Sequence, residues 1–120
     1  MKICLVNGSP RKNGATAKIL HYMQSYLGQK DGLELQYVDL SDYQITLCKG
    51  CVNCYKTGEC FIKNDGVEAL ARQVKSADGI IIGTPTFGSD ITSYLNAFFD
   101  RGHFIVEQSL AHKYGFSIVT

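Results

Sequence analysis

The chain has 120 residues, a length that suits one domain with one hydrophobic core. Hydrophobic residues make up 45% and charged residues 19%, a composition that excludes disordered and fibrous proteins. The net charge of +1 supplies no broad positive field, so nucleic acid is not an expected partner. No apolar run approaches the roughly 20 residues that cross a bilayer, so we expect no membrane contact and a cytoplasmic location.

The first third of the chain predicts a strand, a loop, a helix and a second strand. Residues 2–6 are β-prone and end at a turn-rich stretch, residues 7–14. Apolar residues then recur at helical spacing up to Gly28, which is a typical C-terminal stop. Residues 33–40 alternate apolar and polar side chains, as a strand with one buried face does.

The rest of the chain continues the same alternation after a long loop. Asp65 is placed to cap a helix over residues 66–76, and the apolar run 79–83 is typical of a strand buried on both faces. A helix is predicted to end near Gly102, and residues 114–119 form a fourth strand. The order predicts an α/β fold, a three-layer, doubly wound parallel sheet with its ligands at the carboxyl ends of the strands.

The sheet predicted by this order is short, because the sequence stops at Thr120, directly after the fourth strand. Doubly wound domains usually continue through another loop, helix and edge strand. We therefore expect either a shortened version of the fold or an oligomer that covers the edge.

The loop over residues 8–16 has the features of a phosphate site. It lies between a strand and a helix, where backbone N–H groups and the helix dipole favour an anion, and it carries Ser9, Arg11, Asn13 and Thr16. It contains neither GxGxxG nor the lysine of a P-loop, which disfavours a dinucleotide pyrophosphate or a triphosphate. The alternative is an ordinary strand-to-helix turn with good capping residues.

Four of the five cysteines fall within thirteen residues, with the spacing C-x2-C-x2-C-x5-C: Cys48, Cys51, Cys54 and Cys60. Structural disulfides are rare in a reducing compartment, so this clustering predicts another use of the thiols. Four thiolates complete either an iron–sulfur or a zinc site, and three cysteines at successive x2 intervals favour a [4Fe–4S] cluster. Zinc and free or redox-active thiols stay open as alternatives.

Three segments together resemble a known family. The stretch Gly8-Ser9-Pro10-Arg11-Lys12-Asn13-Gly14 with Thr16, the turn Thr84-Pro85-Thr86-Phe87-Gly88-Ser89 and the run 95–101 are similar to those of the flavodoxin-like NAD(P)H-dependent FMN reductases. The cysteine loop is similar to that of the iron–sulfur flavoproteins within this family. The resemblance covers residues 1–120, which implies one FMN-binding domain with a cysteine loop over residues 41–65.

The resemblance implies specific cofactor contacts. FMN is expected with its phosphate beside Ser9, Arg11, Asn13 and Thr16 and its ribityl chain and ring beside the second turn, at Pro85, Thr86, Phe87 and Gly88. Two departures stand out: the turn has Phe87 where the family often has tyrosine, and the family's third flavin loop would lie after Thr120.

The implied function is an FMN-dependent oxidoreductase or electron-transfer flavoprotein in which no side chain acts as acid or base, since the flavin carries the chemistry. NAD(P)H or a ferredoxin-type protein is the expected electron donor. A homo-oligomer is expected, with the cysteine loop and residues 94–99 near the contact, because cluster and flavin of similar proteins belong to adjoining subunits. The alternatives are a non-catalytic flavin- or zinc-binding module and a shortened paralogue without activity.

Overall fold

A computed structural model describes residues 1–106 and 110–120 of the chain. Four parallel strands form one sheet in the order β2-β1-β3-β4. The strands are β1 (Lys2–Asn7), β2 (Glu34–Asp39), β3 (Gly79–Thr84) and β4 (Tyr114–Val119). The helices are α1 (Ala15–Leu27), α2 (Asn53–Thr57), α3 (Val67–Lys75) and α4 (Ser93–Val106), and a single 3₁₀ turn covers Leu40–Asp42.

The two central strands are buried on both faces, because helices cover the sheet from either side. On one face, Cys4, Val6 and Ile80 pack with apolar residues of α3 and α4. On the other face, Leu5 and Ile81 pack against α1. Side chains that alternate between two buried faces explain why these strands are continuous apolar runs, and the predicted three-layer fold is confirmed.

The strands and the three longer helices are confirmed within a few residues of their predicted bounds. Two details differ from the sequence expectation. The cysteine loop contains the five-residue helix α2, which is too short to show a period. The N-cap of α3 is Gly66 rather than Asp65, although the Asp65 carboxylate still accepts from the N–H of Val67, the first residue of the helix, at 3.3 Å.

No helix in the described part of the chain has both the length and the apolar content that a membrane span requires.

Helix α1 approaches the sheet closely at Gly83. A methyl group on Gly83 would lie 2.8 Å from carbon atoms of both Thr16 and Leu20, which is inside van der Waals contact. This close approach holds the N-terminus of α1 against the carboxyl end of β3, and it requires a residue without a side chain.

We predict that Gly83→Ala destabilises the fold by about 1–3 kcal/mol, the usual cost of an added methyl in a packed core. Urea unfolding measures this change. Gly115→Ala is the matched control, because it is also a strand glycine and a methyl there would meet nothing within 4 Å. Equal stability of the two variants would contradict the close approach of α1.

Candidate functional site

The loops that follow β1 and β3 meet at Gly8. Its N–H donates to the carbonyl of Gly83 at 2.7 Å, and its carbonyl accepts a hydrogen bond from Thr92 Oγ1 at 2.6 Å. Thr92 is fully buried, and its hydroxyl oxygen also accepts from the N–H of Leu95 in α4. The structure therefore brings the two predicted flavin segments together at the carboxyl edge of the sheet.

Asn7, at the end of β1, sets the path of the first loop. Its buried side chain donates from Nδ2 to Asp39 Oδ1 at 2.7 Å and accepts from the N–H of Ser9 at 3.0 Å. Ser9 is also buried, and its hydroxyl accepts from the N–H of Arg11 at 3.1 Å. These linked hydrogen bonds give the loop one conformation.

The N-terminus of α1 carries none of the groups that normally neutralise a helix start. Gly14 is the N-cap, no side chain caps the helix, and no acidic residue lies in the first turn. Arg11 and Asn13 are exposed beside it. Thr16 is buried and its hydroxyl lies 2.8 Å from that of Thr120. Uncapped amides with an arginine nearby form an environment that favours a phosphate.

The second segment is a tight hairpin whose tip faces solvent. Phe87 and Asp90 exchange two backbone hydrogen bonds of 2.9 and 3.0 Å, and Gly88 and Ser89 between them have φ of 56° and 70°. Pro85 is half-buried, and Thr86, Phe87 and Gly88 are exposed. The hairpin leaves Phe87 46% exposed, so its flat side chain is available to a planar ligand.

The four clustered cysteines line a single cavity. Its wall also includes apolar Val52, Phe61 and Ile62 and polar Lys49, Asp100 and Arg101. Within residues 1–106 and 110–120, no three His, Cys, Asp or Glu side chains are grouped closely enough to hold one metal ion. The four thiols nevertheless border the same space, and four thiolates are the donor set of an iron–sulfur cluster or of a structural zinc site.

The fifth cysteine, Cys4, lies apart from this set in the buried core of β1. Burial raises the pKa of the Cys4 thiol to about 11, slightly offset by the charge of Lys2. A neutral buried thiol behaves as a small apolar residue, so Cys4 belongs to the core and not to the cysteine cavity.

Arg101 is buried, although it lies on the last part of α4 and carries a charge. Its side chain is only 2% exposed and forms a two-pronged ion pair with the equally buried Asp65, at 2.6 and 3.2 Å. Burial opposes the charge of both groups, but their mutual hydrogen bonds outweigh it. The pKa of Asp65 is consequently lowered and that of Arg101 raised.

Sequence reasoning also missed Asn7, Thr92 and Asp65 as site-forming residues. A signal existed for Arg101, because Leu95, Phe98 and Arg101 recur every three residues and all lie on the buried face of α4. No comparable signal identifies Asn7 or Thr92, since their partners lie 32 and 84 residues away in the chain.

A family model described as NADPH-dependent FMN reductase matches residues 1–120. The chain belongs to this family. Among curated members, an iron-sulfur flavoprotein of Clostridioides difficile is 40% identical over the whole chain, and one of Archaeoglobus fulgidus is 35% identical over 99% of it. Each match spans 54% of the relative, so the chain covers about half the length of the curated proteins that it resembles.

Solved structures show the flavodoxin-like fold of this FMN reductase family member independently. An NADH:FMN oxidoreductase in its apo form aligns with a TM-score of 0.63 and 18% identity, over 98% of this chain and 75% of that one. An FMN-dependent NADH-azoreductase from Bacillus anthracis, in complex with FMN, aligns with a TM-score of 0.61 and 18% identity, over 84% of this chain and 55% of that one.

We predict that Asp65→Asn destabilises this FMN reductase family member by roughly 3–5 kcal/mol at neutral pH, because it leaves the Arg101 charge buried without a counter-charge. The lowered pKa of Asp65 adds stability above its unfolded value of about 3.9, and this stability is lost as the pH falls through the lower folded value. The wild type should therefore lose more stability than the variant below about pH 4.

Urea unfolding at pH 7, 5 and 3 measures both effects. The control is Asp31→Asn, which changes an exposed carboxyl on the turn before β2. A variant at position 65 that matched this control at every pH would contradict the strength of the buried pair.

Proposed function

We propose that the chain is an FMN-dependent oxidoreductase domain of the iron–sulfur flavoprotein type, formed by residues 1–120 with its cysteine loop at residues 41–65. The observation that carries this proposal is the junction at Gly8, which holds two flavin-type loops beside an uncapped helix N-terminus. When bound, FMN would accept a hydride or single electrons, and a cluster would transfer electrons one at a time.

The first loop fits the FMN phosphate. The amides of the first α1 turn and the Arg11 guanidinium would donate to its oxygens, while buried Ser9 holds the loop in shape and Asn13 and Thr16 add donors. Lys12 is less available to the phosphate, because it forms an ion pair with Asp42. The role of these residues is to bind and orient the flavin.

The second loop fits the rest of the flavin. Pro85, Thr86 and Gly88 would lie beside the ribityl chain and ring, and the exposed face of Phe87 would stack on or flank the ring. The hairpin hydrogen bonds hold Phe87 in place, and a second anchor comes from the N–H of Thr86, which donates to the carbonyl of Thr120 at 2.9 Å. No acid or base is assigned.

Removing the phosphate contacts should weaken FMN binding selectively. We expect Arg11→Met with Thr16→Val to lower FMN affinity at least roughly tenfold, because a hydrogen bond to a charged group contributes about 1.5–3 kcal/mol. Riboflavin lacks the phosphate, so its affinity should change little. Fluorescence titration with both flavins measures this, with Lys30→Met as a control that removes an exposed charge beyond α1. An equal loss for FMN and riboflavin would contradict the assignment.

The cysteine cavity fits a [4Fe–4S] cluster held by Cys48, Cys51, Cys54 and Cys60. Soft thiolates are the preferred ligands of such clusters, and all four line one cavity. The N–H of Gly50 donates to Cys48 Sγ at 3.4 Å, and Cys60 Sγ accepts from Arg101, so two sulfurs already have the donors that stabilise negative charge.

Anaerobic incubation with iron and sulfide should load about four irons per chain, the content of one [4Fe–4S] cluster. Cys54→Ser should reduce this content sharply, because serine oxygen is a poorer ligand for the cluster than thiolate. Iron and sulfide analysis with the visible spectrum measures the loading, and Cys4→Ala serves as the control thiol. Uptake of one zinc and no iron by the wild type would favour the structural zinc alternative.

We further propose a homo-oligomer, with NAD(P)H or a ferredoxin-type protein as electron donor. Four large apolar side chains of the cysteine loop are at least half exposed, which is unusual for a solvent-facing surface: Leu47, Val52, Tyr55 and Phe61. Sedimentation of the FMN-loaded chain at micromolar concentration tests this, and a monomer would contradict it.

A further inference from the structure

The guanidinium of Arg101 directs every one of its N–H donors at the cysteine loop. Nε donates to Cys60 Sγ at 3.2 Å. Nη1 donates to the Thr46 carbonyl and to Asp65, each at 2.6 Å, and Nη2 donates to the Ile62 carbonyl and to Asp65, each at 3.2 Å. Arginine has five such donors, so this set uses all of them.

These contacts tie the two ends of the loop together. Asp65 also accepts from the N–H of Thr46 at 2.8 Å, and the N–H of Gly66 donates to the carbonyl of Gln44 at 2.9 Å. The backbone of Thr46 thus bonds to both members of the Arg101–Asp65 ion pair, and the segment from residue 46 to residue 65 is a closed loop anchored on α4. The cysteines at positions 48, 51, 54 and 60 all lie inside this closed segment.

From this geometry we propose that Arg101 is a positioning residue for the cysteine cavity, which closes the loop through Asp65 and raises the reduction potential of a cluster through its hydrogen bond to Cys60. The loop-closing role needs only the protein, and the role in reduction potential rests on the proposed cluster. A buried cation that donates to a ligand sulfur stabilises the more negative, reduced state more than the oxidised one. Hydrogen bonding to the sulfurs is a recognised determinant of cluster potential.

We expect that lysine at position 101 cannot perform the role of Arg101. An ammonium is a point charge with three donors, and it cannot reproduce a planar fork that reaches two backbone carbonyls, a carboxylate and a sulfur. In Arg101→Lys we expect the ammonium to stay with Asp65, which leaves Cys60 without its donor. Arg72→Lys is the matched control, because Arg72 also pairs with an acidic residue, Glu68, but is exposed on α3.

The first measurement is amide hydrogen exchange of residues 46–65 in the FMN-loaded, thiol-reduced chain without iron. We expect exchange in Arg101→Lys to be at least roughly tenfold faster than in the wild type and in Arg72→Lys, the factor for loss of one charge-assisted hydrogen bond. Exchange in β1 and β3 should be unchanged.

The second measurement is the reduction potential of the reconstituted cluster, followed by its visible or electron paramagnetic resonance signal. We expect a more negative potential in Arg101→Lys than in the wild type, and none of this shift in Arg72→Lys. A purely structural role would lower the iron content without moving the potential of the clusters that do form.

A second variant keeps the loop-closing role testable if Arg101→Lys fails to fold. Arg101→Met with Asp65→Leu replaces the buried pair by apolar side chains, a change that many folds tolerate, and it should still show fast loop exchange. Unchanged exchange in both variants overturns the loop-closing role, and an unchanged reduction potential overturns the role of Arg101 in setting that potential.

If the wild type takes up no iron, the cluster proposal fails, and the role of Arg101 in setting the reduction potential fails with it. Amide exchange still decides whether Arg101 closes the loop.

Discussion

The position of β1 between β2 and β3 is the constraint on which the other features depend. Its residues pair in parallel with both neighbours and helices cover both faces of the sheet, so Cys4 to Val6 are fully buried and leave no room for polar side chains. After this apolar run, the first polar side chain is that of Asn7, and the backbone of Gly8 follows it. Asn7 bonds to Asp39 of β2 and Gly8 bonds to Gly83 of β3. The positions of these strands therefore fix the start of the loop at the carboxyl edge of the sheet.

The flavin-type loop and the cysteine loop lie at the same edge of the sheet because both follow parallel strands. One follows β1 and the other follows β2, and in a parallel sheet both carboxyl ends point the same way. Lys12 of the first loop pairs with Asp42 at the start of the second, although this contact is half-exposed and contributes little stability. The strand order places both loops at one edge of the sheet, and contacts such as the Lys12–Asp42 pair only adjust their relative position.

The sequence predicts the strands and helices well, because buried positions recur in the sequence at the period of each element. The run 79–83 and the alternation in residues 33–40 identify strands, and the strand–helix order identifies a parallel sheet. The same reasoning fails for Asp65, which was expected only to cap a helix, and for Arg101, whose burial it does not predict. Their partnership joins residues 36 positions apart, and pairwise contacts between distant polar residues leave no period in the sequence. The small helix α2 is missed for a related reason, since five residues complete little more than one turn.

The separation between Cys60 and Arg101 has a consequence for biosynthesis. The two residues are 41 positions apart, and the thiols are made first. At about 5–20 residues per second, a ribosome needs roughly 2–8 seconds to add the intervening chain. During this interval the nascent cysteines have no fixed arrangement, and any metal ion or oxidant that reaches them acts on a flexible segment. Docking of α4 then closes the segment around the thiols, so the cysteine loop reaches its order only after Arg101 has been made.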